Sequence, residues 1–197
     1  MRKGRVEAFS DGVIAIIITI MVLELKIPHE KSGFKDLVPL LPIFLSYILS
    51  FIYVGIYWNN HHHLFSLVKS VNGTILWANM HLLFWLSMVP FATAWMGENH
   101  FEPAPIALYG FVLLMNGLAY TILALQLVKN HGEESTLAKV IGNDLKGKFS
   151  LICYMVAVPI AFLSIWIAGT LYIIVALVWL IPDRRIEKVV QEDHENS

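Results

Sequence analysis

Charged residues are scarce in this sequence, and cysteine is almost missing. Asp, Glu, Lys and Arg make up 15% of the 197 residues, against roughly 25% in soluble domains, and the net charge is −1. The chain therefore lacks the basic surface that nucleic-acid binding requires, and no nucleic-acid partner is expected. The single Cys153 excludes an intramolecular disulfide. No glycine-rich phosphate-binding loop occurs, so nothing indicates ATP-driven transport.

The sequence is instead dominated by long apolar segments. Hydrophobic residues make up 57% of the chain, and the mean hydropathy is +0.64. Several segments reach the roughly 20 residues that a helix needs to cross a bilayer. This pattern predicts an all-α integral membrane protein with six transmembrane helices, the last two forming a tight hairpin at Gly169-Thr170. The six segments are 5–26, 37–57 (with an extension to 67 as an alternative), 73–96, 106–128, 149–168 and 170–181.

Lysine and arginine placement predicts the orientation of these helices. If the N-terminus lies inside and the number of crossings is even, 11 of the 14 basic residues fall on the inner side and three on the outer side. An inner excess of this kind is typical of multi-pass proteins, and it predicts that both termini are cytoplasmic. We expect a transmembrane domain over residues 1–182 and a charged cytoplasmic tail over 183–197. No cleavage pattern follows the first apolar run, which favours a retained helix over a signal peptide.

A polar cluster stands at the start of the first segment. Arg5, Ser10 and Asp11 lie there with Phe9, and ionisable groups at membrane depth usually face a bundle interior or an aqueous path. Two interpretations remain open. Asp11 is a helix-start carboxylate with Arg5 reaching to the headgroups, or these residues form a hydrogen-bonded cluster with polar groups of other helices.

One face of the first helix is bulky and apolar, and Asp11 points to nearly the opposite side. One interpretation is a pore-lining helix, whose Ile and Leu rings form a hydrophobic constriction and whose Thr19 adds hydroxyl oxygens for a passing ion. The other is a lipid-facing or core-packed face, with Thr19 bonding back to its own helix. Periodicity alone favours the second. The face carries Val13, Ile16, Thr19, Ile20, Leu23 and Ile27 at helical spacing.

Histidines and amides in the second and third segments are the other candidate polar groups. His61, His62 and His63 are adjacent, so they cannot all ligate one ion, and no metal site is expected. His61 lies one turn from Trp58 and could meet the Asp11 cluster. In the third segment Asn79 and His81 precede Pro90, which predicts a kink whose freed carbonyl needs a new partner.

Three motifs resemble the transmembrane protein 175 family. The first is Arg5-x-x-x-Phe9-Ser10-Asp11 followed by Ile16 and Thr19. The second is Trp58-x-x-His61-x-x-Leu64-Phe65, and the third is Pro90-Phe91 followed by Thr93. This family comprises potassium channels of endolysosomes and single-repeat prokaryotic relatives, and the likeness spans about residues 2–182.

The resemblance implies an architecture and a set of site residues. A single-repeat member is expected to be a multi-pass homotetramer of the prokaryotic inner membrane, surrounded by lipids, with four first helices around the pore. Ile16 would form the hydrophobic constriction, and Ile20 and Leu23 would continue it. Thr19 would favour potassium. The remaining motif residues would tie the first helix to the second and third: Arg5, Phe9, Ser10, Asp11, Trp58, His61 and Asn79. Neither a cofactor nor enzymatic activity is expected, and the conducted ion would be potassium.

Three other functions remain as alternatives. The first is a proton channel or proton-coupled transporter, with Asp11, His61 and His81 as relay candidates. The second is a membrane-embedded enzyme with a metal at the histidine run 61–63. The third is a non-conducting assembly protein.

Overall fold

The computed structural model describes residues 3–28, 33–132, 134–142 and 144–180. Over these residues the chain is helical, which confirms the all-α prediction. The tail predicted over 183–197 lies outside the described residues. The helices are α1 (Lys3–Leu23), a 3-10 helix (Phe34–Leu40), α2 (Leu41–Ser66), α3 (Gly73–Ser87), α4 (Val89–Glu98), α5 (Pro103–His131), α6 (Thr136–Ile141), α7 (Leu145–Ile160) and α8 (Ile165–Leu180).

Four stretches of the described chain are long and apolar enough to cross a membrane. They are Lys3–Leu23, Phe34–Ser66, Gly73–Glu98 and Pro103–His131. The fifth and sixth predicted segments correspond to α7 and α8, with 16 residues each. A helix of that length is about 24 Å long, shorter than the roughly 30 Å hydrocarbon core. The structure thus supports a membrane protein with four such spans, and a count of six crossings stays a prediction.

The predicted position of the last hairpin turn is wrong. The chain turns at residues 161–164, where the amide of Ala161 bonds to Ala157 and that of Ser164 bonds to Ile160. Gly169 lies inside α8. Glycine is tolerated within a helix in an apolar environment, since the backbone hydrogen bonds stay intact there. The turn instead follows Pro159, which lies in the last turn of α7 and cannot make the helical hydrogen bond to the Met155 carbonyl, so this end of the helix is weakened.

Pro90 marks a break in the third membrane stretch. α3 ends at Ser87, and α4 begins at Val89 with Pro90 in its first turn, where a missing amide hydrogen costs little. The side-chain amide of Asn116 in α5 donates to the carbonyl of Trp85 at 3.2 Å. The sequence-predicted kink is therefore present, and a side chain from a neighbouring helix satisfies a backbone carbonyl close to it.

Buried tyrosines join the middle of the bundle. The Tyr53 hydroxyl donates to the Tyr172 carbonyl at 2.6 Å, and the Tyr172 hydroxyl donates to the Ile106 carbonyl at 3.1 Å. The hydroxyls of Tyr109 and Ser50 lie 3.0 Å apart. Because buried hydroxyls need partners, these bonds fix how α2, α5 and α8 pack together.

Gly110 tests this packing. A Cβ at Gly110 would collide with the Tyr172 hydroxyl, so Gly110→Ala should lower the free energy of unfolding by about 1–3 kcal/mol. Denaturant unfolding of the purified protein measures this difference. Gly169→Ala is the matched control, because a Cβ there meets nothing within 4 Å, and it should cause no loss of stability. Equal losses of stability in both variants would contradict the close packing of Tyr172 against Gly110.

Candidate functional site

α1 is held to the rest of the bundle along one face only. Its buried side chains share that face and pack against α2, α3 and α4. They are Val6, Ser10, Ile14, Ile17 and Met21. Four of the five are apolar, so Ser10 is the single polar side chain on the buried face of α1.

Ser10 belongs to a buried chain of hydrogen bonds across three helices. The Asn79 side-chain amide donates to the Ser10 hydroxyl at 2.9 Å. The Asn79 carbonyl oxygen lies 2.8 Å from His61 Nε2, and since that oxygen only accepts, Nε2 is the donor. Exposure is 0% for Ser10, 2% for Asn79 and 1% for His61. These hydrogen bonds, which we call the Ser10–Asn79–His61 chain, fasten α1 to α2 and α3.

Asp11 makes a separate contact at the edge of the same region. The indole nitrogen of Trp58 donates to the Asp11 carboxylate at 3.0 Å, so α1 and α2 are also joined outside the buried chain. Phe9 is 53% exposed. Arg5 makes no hydrogen bond or ion pair that the structure describes, so its part in the network stays a prediction.

Lys3 joins α1 to α2 through a contact that the sequence did not predict. Its ammonium lies 3.2 Å from the Phe65 carbonyl and 3.1 Å from the Ser66 carbonyl. These are carbonyls at the end of α2, where helical carbonyls lack intrahelical partners and attract cations. The sequence shows a basic residue near the start of the first helix and an approximate end for the second helix. Neither observation predicts that the two are paired.

The opposite face of α1, which carries Ile16, Thr19, Ile20 and Leu23, is exposed, and we call it the bare face. Ile16 is 58% exposed, Ile20 is 43% exposed and Leu23 is 76% exposed. Thr19 is exposed on the same side, and its hydroxyl donates to the carbonyl of Ile16 at 2.8 Å. The hydroxyl proton is thus used within the helix, while the oxygen lone pairs stay free to accept.

A groove separates this bare face from α4. Ile16 and Ile20 form one wall, and Phe91 and Trp95 form the other, with parallel rings 6.5 Å apart. Three residues beyond the end of α1, Lys26 pairs with Glu98 at 2.8 Å. The hydrogen bond and the negative charge of Glu98 raise the pKa of Lys26. A largely apolar groove therefore ends in charged groups.

The remaining histidines are dispersed. His81 accepts a hydrogen bond from the Trp85 indole at 3.0 Å, and the His62 ring stacks on Trp58. Within the described ranges, no three histidine, cysteine or acidic residues lie together as a metal-ligand group. Neither His81 nor Asp11 is hydrogen-bonded to His61 in that part of the chain.

Comparisons with known proteins agree on one family. Residues 5–90 match the family described as "Endosomal/lysosomal potassium channel TMEM175". A potassium channel of Chryseobacterium sp. (strain P1-3) is 58% identical over 193 residues, which is 98% of this chain and 100% of the relative. A potassium channel of Chamaesiphon minutus is 30% identical over 185 residues, covering 88% of this chain and 91% of the relative.

A solved structure and a mammalian relative extend the comparison. The crystal structure of a lysosomal potassium-selective channel TMEM175 homolog from Chamaesiphon minutus matches with a TM-score of 0.79 and 29% identity, covering 91% of this chain and 96% of that one. The mouse protein named "Endosomal/lysosomal proton channel TMEM175" is 38% identical over 105 residues, which is 47% of this chain but 21% of the mouse protein.

Asn79→Leu tests the Ser10–Asn79–His61 chain. The substitution removes the amide and leaves the Ser10 hydroxyl and the His61 ring N–H without partners in a buried place. The free energy of unfolding should fall by about 2 kcal/mol or more. Asn59→Leu, on the exposed side of α2, is the control and should change stability by less than about 0.5 kcal/mol. If the two variants unfold at the same denaturant concentration, the buried chain does not hold α1.

Proposed function

This chain belongs to the TMEM175 family of potassium channels, and on that premise we propose that it is a potassium-preferring cation channel of the prokaryotic cell membrane. Ions cross passively, down their electrochemical gradient, and no cofactor takes part. The names and coverage of the bacterial relatives support this proposal, since two potassium channels match nearly the full chain.

The bare face of α1 is the observation that carries the proposal. A helix long enough to cross the membrane is fastened along one side by buried residues, while Ile16 and Leu23 are more than half exposed. Such a face can meet lipid, a second copy of the chain or an aqueous path, and the two bacterial potassium channels that match nearly the full chain favour the last two. In a symmetric assembly of identical chains, the same face of each α1 meets at the axis.

The proposed assembly is a homotetramer with four copies of α1 around the pore. Each subunit would cross the membrane six times, with α7 and α8 as a short hairpin, and lipids would surround the outer helices. The excess of basic residues on one side supports cytoplasmic termini.

The pore would narrow at rings of Ile16, Ile20 and Leu23. Apolar rings resist wetting and so can gate ion flow without a moving plug. They offer no oxygen to replace an ion's hydration shell, which leaves Thr19 as the candidate for potassium preference. Its hydroxyl donates to the Ile16 carbonyl, and its lone pairs are therefore free to face a cation.

Proton conduction is the second candidate function. The Ser10–Asn79–His61 chain runs through the buried side of α1, and a mouse relative carries the name of a proton channel. His61 would supply the titrating group on this route, and Asp11, which is bonded to Trp58 at its edge, would supply a second one. The two functions differ in which gradient drives the current.

A reversal potential tests the proposed function. Purified protein in a planar bilayer, with potassium on one side and sodium on the other at equal pH, should give a reversal potential shifted toward the potassium equilibrium value. Thr19→Val should reduce that shift, since it removes four hydroxyls from the pore while keeping the side-chain shape. A current that follows an imposed pH gradient and ignores potassium would contradict the proposal and support proton conduction.

Ile16→Asn tests the constriction. Four asparagine side chains around the pore are wetted more easily than four isoleucine side chains. Single-channel conductance should therefore rise severalfold, and the reversal potential should move toward zero. Val22→Asn is the matched control: it makes the same chemical change on an exposed position of α1, about 120° away around the helix. An unchanged current in a folded, tetrameric Ile16→Asn protein would remove Ile16 from the pore.

A further inference from the structure

A second site lies inside each subunit, away from the bare face of α1. A cleft of about 40 Å³ opens among α2, α5, α7 and α8. Aromatic rings form its walls: Tyr57 and Tyr120 meet edge to face, 6.4 Å between centroids, and Tyr154 and Trp179 complete the lining. This space holds roughly three water molecules, so a guest has to be small or has to project through the open side.

The Trp179 ring has a fixed orientation at this cleft. Its indole nitrogen donates to the Ser150 hydroxyl at 2.8 Å, and that hydroxyl donates to the Lys146 carbonyl at 2.7 Å. The Lys146 ammonium lies 5.9 Å from the centre of the ring, within the range of cation–π attraction. The rim of the cleft thus already shows this type of contact.

Asp144 brings the one carboxylate to the cleft. One of its oxygens caps α7 by accepting from the Gly147 amide at 2.8 Å, and a Cβ at residue 147 would collide with the other oxygen. Glycine at this position therefore lets the carboxylate fold against the helix. Asp144 makes no ion pair with any residue that the structure describes.

The tyrosine hydroxyls that line the cleft differ in their hydrogen bonds within the described part of the chain. Tyr120 donates to the Asn60 carbonyl at 3.3 Å, and Tyr53 donates to the Tyr172 carbonyl. Tyr57, between them on the lining, makes no hydrogen bond among the described residues. The Tyr57 hydroxyl and the second oxygen of the Asp144 carboxylate accept no hydrogen bond from any described residue, so a donor that carries positive charge can bind between them and the aromatic walls.

We propose that this cleft binds a small organic ammonium ion, such as the head of a primary alkylamine. The ammonium would donate to Asp144 and Tyr57, and its adjacent methylene groups would lie against the rings of Tyr120 and Trp179. Because Lys146 adds positive charge at the Trp179 rim, the guest's charge sits on the Asp144 side.

Calorimetric titration of the detergent-purified full chain with n-propylammonium tests the site. 1-Propanol, which has the same shape without the charge, should not bind. Asp144→Asn keeps an N-cap side chain but loses the charge, and its dissociation constant for n-propylammonium should rise about tenfold, equal to about 1.4 kcal/mol. Asp36→Asn is the control: Asp36 also accepts from a helix-start amide, lies outside the cleft, and should leave the constant unchanged.

Tyr120 provides a second pair of variants. Tyr120→Phe keeps the ring and should bind like the native chain, whereas Tyr120→Leu should weaken binding severalfold. This pair decides the matter if Asp144→Asn fails to fold. The proposal is overturned if the native chain shows no saturable binding, if 1-propanol binds equally, or if Tyr120→Leu binds as Tyr120→Phe does. Native-like binding by Asp144→Asn would place the amine elsewhere, the pore included, and would also overturn it.

Discussion

The hydrogen bonds that Asn79 makes to Ser10 and His61 fix how α1 is rotated about its own axis. Ser10 has to face α3 to meet Asn79, and Ile16, six residues later, is then turned about 120° away from that contact. The Asp11–Trp58 bond limits rotation from another side. A rotation that moves Ser10 away from Asn79 would leave the buried amide without this partner, which is costly at low dielectric. The bare face of α1 is thus a consequence of the polar contacts behind it.

The sequence predicted the parts of the fold that follow from local pattern. The first predicted segment, 5–26, corresponds to α1 at Lys3–Leu23, and the fourth, 106–128, corresponds to α5 at Pro103–His131. Length and hydropathy suffice for such helices. The α7–α8 turn was misplaced because the residues from 149 to 181 are apolar almost throughout, and no periodicity marks where a buried chain reverses. Glycine seldom ends a helix in an apolar environment, so Pro159 was a better indication of the turn than Gly169.

The candidate site was predictable as a set of residues more than as a set of contacts. Ser10 and His61 were singled out from their motifs and Asn79 as a polar residue of the third segment, yet their mutual distances depend on how three helices pack. Lys3 reaches Phe65 and Ser66 across more than 60 residues of sequence, and Asp144 lines one cleft with Tyr57 and Tyr120 because α7 packs against α5. Pairings of this kind are set by tertiary structure, and a single sequence carries no record of them.

Polar groups in this protein fall into two kinds, and the difference bears on selectivity. Those that hold the subunit together, such as Asn79 and Tyr53, have partners within it. Thr19 differs, because its side chain is exposed and its hydroxyl proton bonds to its own helix, which leaves the lone pairs free to accept. In the proposed tetramer these lone pairs lie between the rings of Ile16 and Ile20. Four hydroxyls replace an ion's hydration shell less completely than rings of backbone carbonyls do. Selectivity in such a pore is therefore modest, and the apolar rings control how often the pore is wet more than which cation passes.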